Sequence, residues 1–148
     1  EVLFLLLLPL FIKRYGIKNA LIVGILAWGV RYMLFAFGDT GVKSWMLIFG
    51  ILLHGVCYDF FFVSGQIYTD FKAGEKYKST AQGLITLATY GVGMLIGFRF
   101  AGWLTDQYIS DIGHLWKNIW IQPAIFSFVV LTLFLIFFKN ETIKFKSL

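Results

Sequence analysis

A chain of 148 residues that is 59% hydrophobic and only 14% charged, with a mean hydropathy of +0.78, falls well short of the roughly 25% charged content of a soluble domain. No segment supplies the polar surface that would have to cover a buried core, so a water-soluble globule is excluded and a membrane protein with several spans is implied. The net charge of +5 sits in short clusters between apolar runs, a placement that marks membrane topology and not the footprint of a nucleic-acid binder.

The first apolar run, Val2 to Ile12, follows Glu1 without a basic n-region or an Ala-x-Ala cleavage site, so it is not a signal peptide. At 1.5 Å per residue it covers about 16 Å, around half of a hydrocarbon core about 30 Å thick. The expectation is a truncated membrane helix over 1–12, and hence the C-terminal part of a larger protein. A basic turn, KRYGIKN (Lys13 to Asn19), leads into a second span at 20–37, which Gly38, Asp39 and Gly41 terminate. A third span is predicted at 44–68, a charged loop from Asp70 to Ser79, a fourth span at 81–104 and a fifth at 119–138. Each is long enough to cross a bilayer as a helix. The runs lack two-residue alternation, so the fold class is an all-α integral membrane bundle, a single partial domain over 1–148, and not a β-barrel.

Orientation follows from the lysine and arginine excess on cytoplasmic loops. Lys13, Arg14 and Lys18 place the first loop inside, Lys72, Lys76 and Lys78 the third, and Lys139, Lys144 and Lys146 the tail. The two intervening loops are poorer in basic residues and face out. A multi-pass protein of the plasma or inner membrane with a cytoplasmic C-terminus is expected, which makes the sequon Asn140-Glu-Thr142 a chance match. The single Cys57 excludes an intrachain disulfide and a cysteine-based metal site.

The third span is the least ordinary. Phe49, Leu53, Val56, Phe60, Val63 and Ile67 alternate at spacings of four and three and form an apolar stripe suited to lipid. Away from it lie His54 and Tyr58, one turn apart, with Asp59 and Gln66 alongside. A charge near the bilayer centre costs about 2.5 to 3.5 kcal/mol on insertion scales, so such groups face a bundle interior or a water-filled path. Two readings stay open for this face: bracing against a neighbouring helix, or lining a solute pathway in which Tyr58 and His54 offer rings and polar tips to a planar ligand. Arg31 is the other deep charge. It can pair with Asp59 if a depth difference of about 9 Å is bridged, or bond to backbone or to protein outside this chain. In the fourth span Gly93, Gly97 and Ala101 form a small-residue stripe that predicts close helix contact. No P-loop, HExxH or GxSxG is present, so an enzyme is not expected, and no cofactor or metal is called for.

The stretches PLFIKRYGIKN (Pro9 to Asn19), LAWGVRYMLFAFGD (Leu26 to Asp39), LLHGVCYDFFFVSGQIYTD (Leu52 to Asp70) and STAQG (Ser79 to Gly83) resemble the nucleoside:proton symporters of the major facilitator superfamily. The RYMLFAFGD and YDFF-x-x-SG pair carries most of the specificity. The resemblance implies that the five segments are helices eight to twelve of a twelve-helix transporter, part of its C-terminal six-helix bundle, with the first helix truncated and the N-terminal half lying outside the chain. It implies nucleoside and proton as transported species, Glu1 as an acidic cavity residue able to bind solute or take up the proton, and Tyr58 at an aromatic position that can stack on a base. His54 stands where relatives can carry an aromatic hydroxyl. Substrate binding is thus expected at Glu1, His54 and Tyr58, and a polar or proton-coupling network at Glu1, Asp59, Arg31 and Gln66. The alternatives are a facilitator for another small polar solute, such as a sugar or drug, and a structural membrane subunit.

Overall fold

The computed structural model describes residues 2–111 and 113–139. Glu1, the sequon at Asn140 and the tail lysines Lys144 and Lys146 therefore lie outside the described residues. The chain forms α1 (Val2–Tyr15), α2 (Ile17–Phe37), α3 (Ser44–Cys57), a π-helical segment (Tyr58–Val63), α4 (Ser64–Thr86), a second π-helical segment (Leu87–Gly93), α5 (Met94–Gln107), a two-residue hairpin of β1 (Ile109–Ser110) and β2 (Gly113–His114), and α6 (Trp116–Phe137). The bundle is helical as expected. The small hairpin between α5 and α6 has no counterpart in the sequence reading; it pairs Ile109 with His114 and Ser110 with Gly113, and Gly113 holds a φ of 119° that favours glycine.

The KRYGIKN turn is a single residue wide. Gly16 adopts φ 83°, its N–H donates to the carbonyl of Ile12 at 2.8 Å, and α2 starts at once. Lys13 and Arg14 occupy the last turn of α1, where positive charge complements the helix dipole. Helix α2 is the centre of the bundle, packing against α1, α3, the first π segment and α6. On one side Leu8, Ile12, Ile17, Ala20, Leu21 and Phe60 form a buried cluster. On the other, Tyr32 stacks on Trp120 at 5.9 Å, and the ring of Phe128 lies over Gly29. Near the lower end the Lys18 ammonium donates to the carbonyl of Phe138 at 2.6 Å.

From Ser44 to Gln107 the chain is one apolar helical stretch of 64 residues. At 1.5 Å per residue a straight rod of that length would be about 96 Å long, three times a hydrocarbon core of about 30 Å. It is folded in two at Gly74, whose φ of 66° is open to glycine and closed to most L-residues. The bonded partners Asp70 and Lys78, Gln66 and Gln82, and Tyr58 and Tyr90 lie at equal distances either side of Gly74 along the chain, which defines an antiparallel hairpin of two arms. The expected loop Asp70 to Ser79 is therefore helical except at its glycine. Its Lys, Glu and Ala residues are good helix formers, and one αL residue suffices to reverse the chain.

Two expectations about faces are corrected. The stripe from Phe49 to Ile67 does not face lipid as a unit: Phe49 is 55% exposed, but Phe60 is buried against Phe11, with Val56, Val63 and Ile67 packed on the same cluster. Lipid and a bundle core are equally apolar, so an apolar stripe does not tell them apart, and the π segment adds a residue that turns the lower half of the helix further round. The Gly93, Gly97, Ala101 stripe makes no close helix contact among the described residues. A methyl group at Gly97 would meet nothing within 4 Å, and all three residues line an open groove.

Candidate functional site

The polar residues of the third span converge on the first π segment. A π turn carries an i→i+5 bond and one extra residue, which widens the helix and is found frequently at functional sites. Here it covers Tyr58–Val63, directly below His54. Arg31 of α2 donates from Nη1 to His54 Nδ1 at 2.8 Å. Its guanidinium also sits 5.3 Å from the ring centres of both Trp28 and Phe35, an aromatic setting that stabilises a cation at low water content. An arginine can only donate, so His54 Nδ1 is the acceptor and the ring's proton resides on Nε2. This partner for Arg31 was not considered from sequence, where Asp59 stood as the candidate.

Asp59 is enclosed, with 3% of its surface exposed, at the start of the π segment. Tyr58 and Tyr90 hold their hydroxyl oxygens 2.7 Å apart, bridging the two arms of the hairpin. Phe62 packs on both, with ring centres 5.4 Å from Tyr58 and 5.8 Å from Tyr90. The His54 and Tyr58 rings lie 6.3 Å apart. The structure thus brings together Arg31, His54, Tyr58 and Asp59. Gln66 stands about two turns lower and joins the hairpin through its backbone: its carbonyl accepts from Gln82 Nε2 at 2.9 Å, while the same amide reaches Asp70 Oδ1 at 2.6 Å. Glu1 lies outside the described residues.

Two cavities lie beside the cluster on the side of Phe62 and Tyr90; Arg31, His54, Tyr58 and Asp59 line neither. The smaller, of about 110 Å³, is bounded by Leu21, Gly65, Gln66 and Ile85. The larger is a groove of about 730 Å³ between α2, α5 and α6, with Trp28, Tyr32, Gly97 and Pro123 in its walls. Phe61, Phe62, Thr89 and Tyr90 border both. Tyr90 was missed in the sequence. Its signal was a tyrosine beside Gly91 and Gly93 in the fourth span, and nothing local ties it to Tyr58 until the hairpin is folded.

The whole of this constellation falls within residues 1–143, which match the family model described as nucleoside H+ symporter. The chain belongs to the nucleoside H+ symporter family. Among relatives of this family, it is 38% identical to the putative nucleoside transporter YegT of Escherichia coli over 95% of its own length, and 32% identical to the nucleoside permease NupG of the same organism over 97%. It is also 32% identical to the E. coli xanthosine permease over 94% of its length. The solved structure of the nucleoside transporter NupG superposes with a TM-score of 0.86 over 95% of the chain, and that of a point mutant with 0.87 over 93%. The chain spans about a third of the length of these relatives, 34% to 35% of each. The symporter family and its fold establish a helical, multi-pass membrane bundle of the major facilitator type.

Proposed function

We propose that this chain is part of a secondary transporter that imports nucleosides together with protons. Its five membrane segments serve as helices eight to twelve of a twelve-helix protein of the plasma or inner membrane, with the C-terminus in the cytoplasm. Two six-helix halves rock around a site at the midplane, so each half contributes one wall of the solute cavity. Charged and polar groups are costly in a bilayer unless they face a bundle interior or such a cavity, and the bond from Arg31 of α2 to His54, directly above the widened turn that begins with Tyr58 and the buried Asp59, is the observation that supports the reading.

In this account Tyr58 stacks on the nucleobase, and His54, held in one tautomer by Arg31, adds polar selectivity beside it. Glu1 binds solute hydroxyls or takes up the coupled proton; a carboxyl group in an apolar cavity is suited to that, because burial disfavours its charged form. Asp59 and Arg31 complete the polar network, and Gln66 braces the hairpin below it. Competition of labelled uridine uptake by adenosine, uridine and sugars, in cells expressing the full-length protein, tests the substrate class. Nucleosides should compete and sugars should not; competition by sugars alone would favour a facilitator for another polar solute.

A further inference from the structure

We propose that Tyr90 is a positioning residue of the solute site: its hydroxyl bond to Tyr58 fixes the Tyr58 ring and couples it to the second arm of the hairpin. This rests on the nucleoside reading above and adds to it a residue from an arm that the sequence had assigned only to packing.

The two arms are symmetric about Gly74. Each arm of the hairpin carries one π segment, Tyr58–Val63 on the first and Leu87–Gly93 on the second, and the two lie opposite one another. A π segment inserts an extra residue that widens the helix and is found frequently at functional sites, and here the two widened turns face each other across the hairpin. The link across that level is the 2.7 Å contact between the Tyr58 and Tyr90 hydroxyls, supported by Phe62 packed on both rings.

A hydroxyl has one proton and two lone pairs. Whichever tyrosine donates, one proton is consumed in the bond and the acceptor's own proton stays available, so the pair can still donate once to a solute. The Tyr58 ring has two torsions, and the bond at its far end removes most of their freedom. The base-stacking face is then presented in one orientation without an entropy cost at binding. Tyr90 and Phe62 border both cavities, while Tyr58 lines neither, so Tyr90 is the member of the pair that meets the open space. Opening the bond would let the arms part at the paired π segments.

The test is a double-mutant cycle in the full-length protein with Tyr58→Phe and Tyr90→Phe, which keep both rings and remove one or both hydroxyls. KM and maximal rate of uridine uptake are measured together with thermal unfolding of the purified protein in detergent. The proposal expects either single variant to raise KM about three- to tenfold, as loss of a neutral hydrogen bond implies, and the double variant to be no worse than the singles. Independent, multiplying effects on KM would overturn it. So would coupling seen in unfolding but with KM unchanged, since the bond would then only brace the fold. A parent protein that takes up no nucleoside overturns the reading on which the proposal rests, and does so before any variant is compared.

Discussion

Gly24→Ala should damage this bundle, while the same substitution at Gly97 should not. Gly24 sits where α2 crosses the first π segment, and a Cβ built there would lie 2.7 Å from the Phe61 backbone nitrogen and 2.8 Å from the Phe60 carbonyl carbon. Heavy atoms in good contact stand about 3.5 to 4.0 Å apart, so the two elements would have to separate by about 1 Å. The neighbours are backbone, which cannot swing aside as a flexible side chain would. The cluster around Phe60 and Leu21 would loosen with them. Overpacking of this kind costs about 1 to 3 kcal/mol, a large share of a marginal stability. At Gly97 the new methyl would meet nothing within 4 Å, and the higher helix propensity of alanine would contribute about 0.4 to 1 kcal/mol in favour of folding. The assay is thermal unfolding of the full-length protein in detergent. The apparent Tm should fall for Gly24→Ala and hold or rise for Gly97→Ala. Equal shifts, or a fall only at Gly97, would refute the packing described.

Tyr58→Ala should weaken uridine uptake through KM by about 5- to 150-fold, the range that corresponds to about 1 to 3 kcal/mol for one base stacked on an aromatic ring, measured by initial-rate uptake. Arg31→Lys keeps the charge but not the planar fork that spans His54, Trp28 and Phe35; loss of the charge-assisted bond should lower stability by about 1.5 to 3 kcal/mol, seen in the same unfolding assay. At the Gly74 turn, between the third and fourth spans, the Gln82 amide and then the Lys78 ammonium hold the Asp70 carboxyl below its ordinary pKa of 3.8. A depressed carboxylate stabilises the fold above its unfolded value of about 3.9 and loses that contribution as pH falls through the folded value. The parent should therefore melt slightly higher than Asp70→Asn at pH 7, with the gap closing below about pH 4, as followed by unfolding across a pH series.

The helices themselves were legible because apolar length alone fixes them. The basic turn around Gly16 and the end of α2 at Gly38 follow from glycine and charge placement, whereas α2 starts at Ile17, three residues before the expected span, because Gly16 alone reverses the chain. Which face of a helix meets lipid was not legible. In water, burial separates polar from apolar; in a bilayer the core and the surroundings are alike, so the Val56 to Ile67 stripe read as lipid-facing while it packs on α1 and α2. The π segments were invisible too, because one extra residue in a helix leaves no compositional mark, yet the first of them begins at Tyr58 and Asp59, directly below His54. Long-range partners complete the list: Arg31 with His54 and Tyr58 with Tyr90 come from different helices, and only the folded hairpin and its contact with α2 bring them together.

This chain is proposed to form part of a cavity through which a nucleoside moves with a proton. Uridine accumulation by vesicles holding the full-length protein, with an imposed inward proton gradient, tests it most directly. Saturable accumulation above equilibrium that collapses with a protonophore, and that Glu1→Gln uncouples from the gradient, is the predicted result. Uridine uptake indifferent to the gradient, or none at all in a correctly inserted protein, would contradict it.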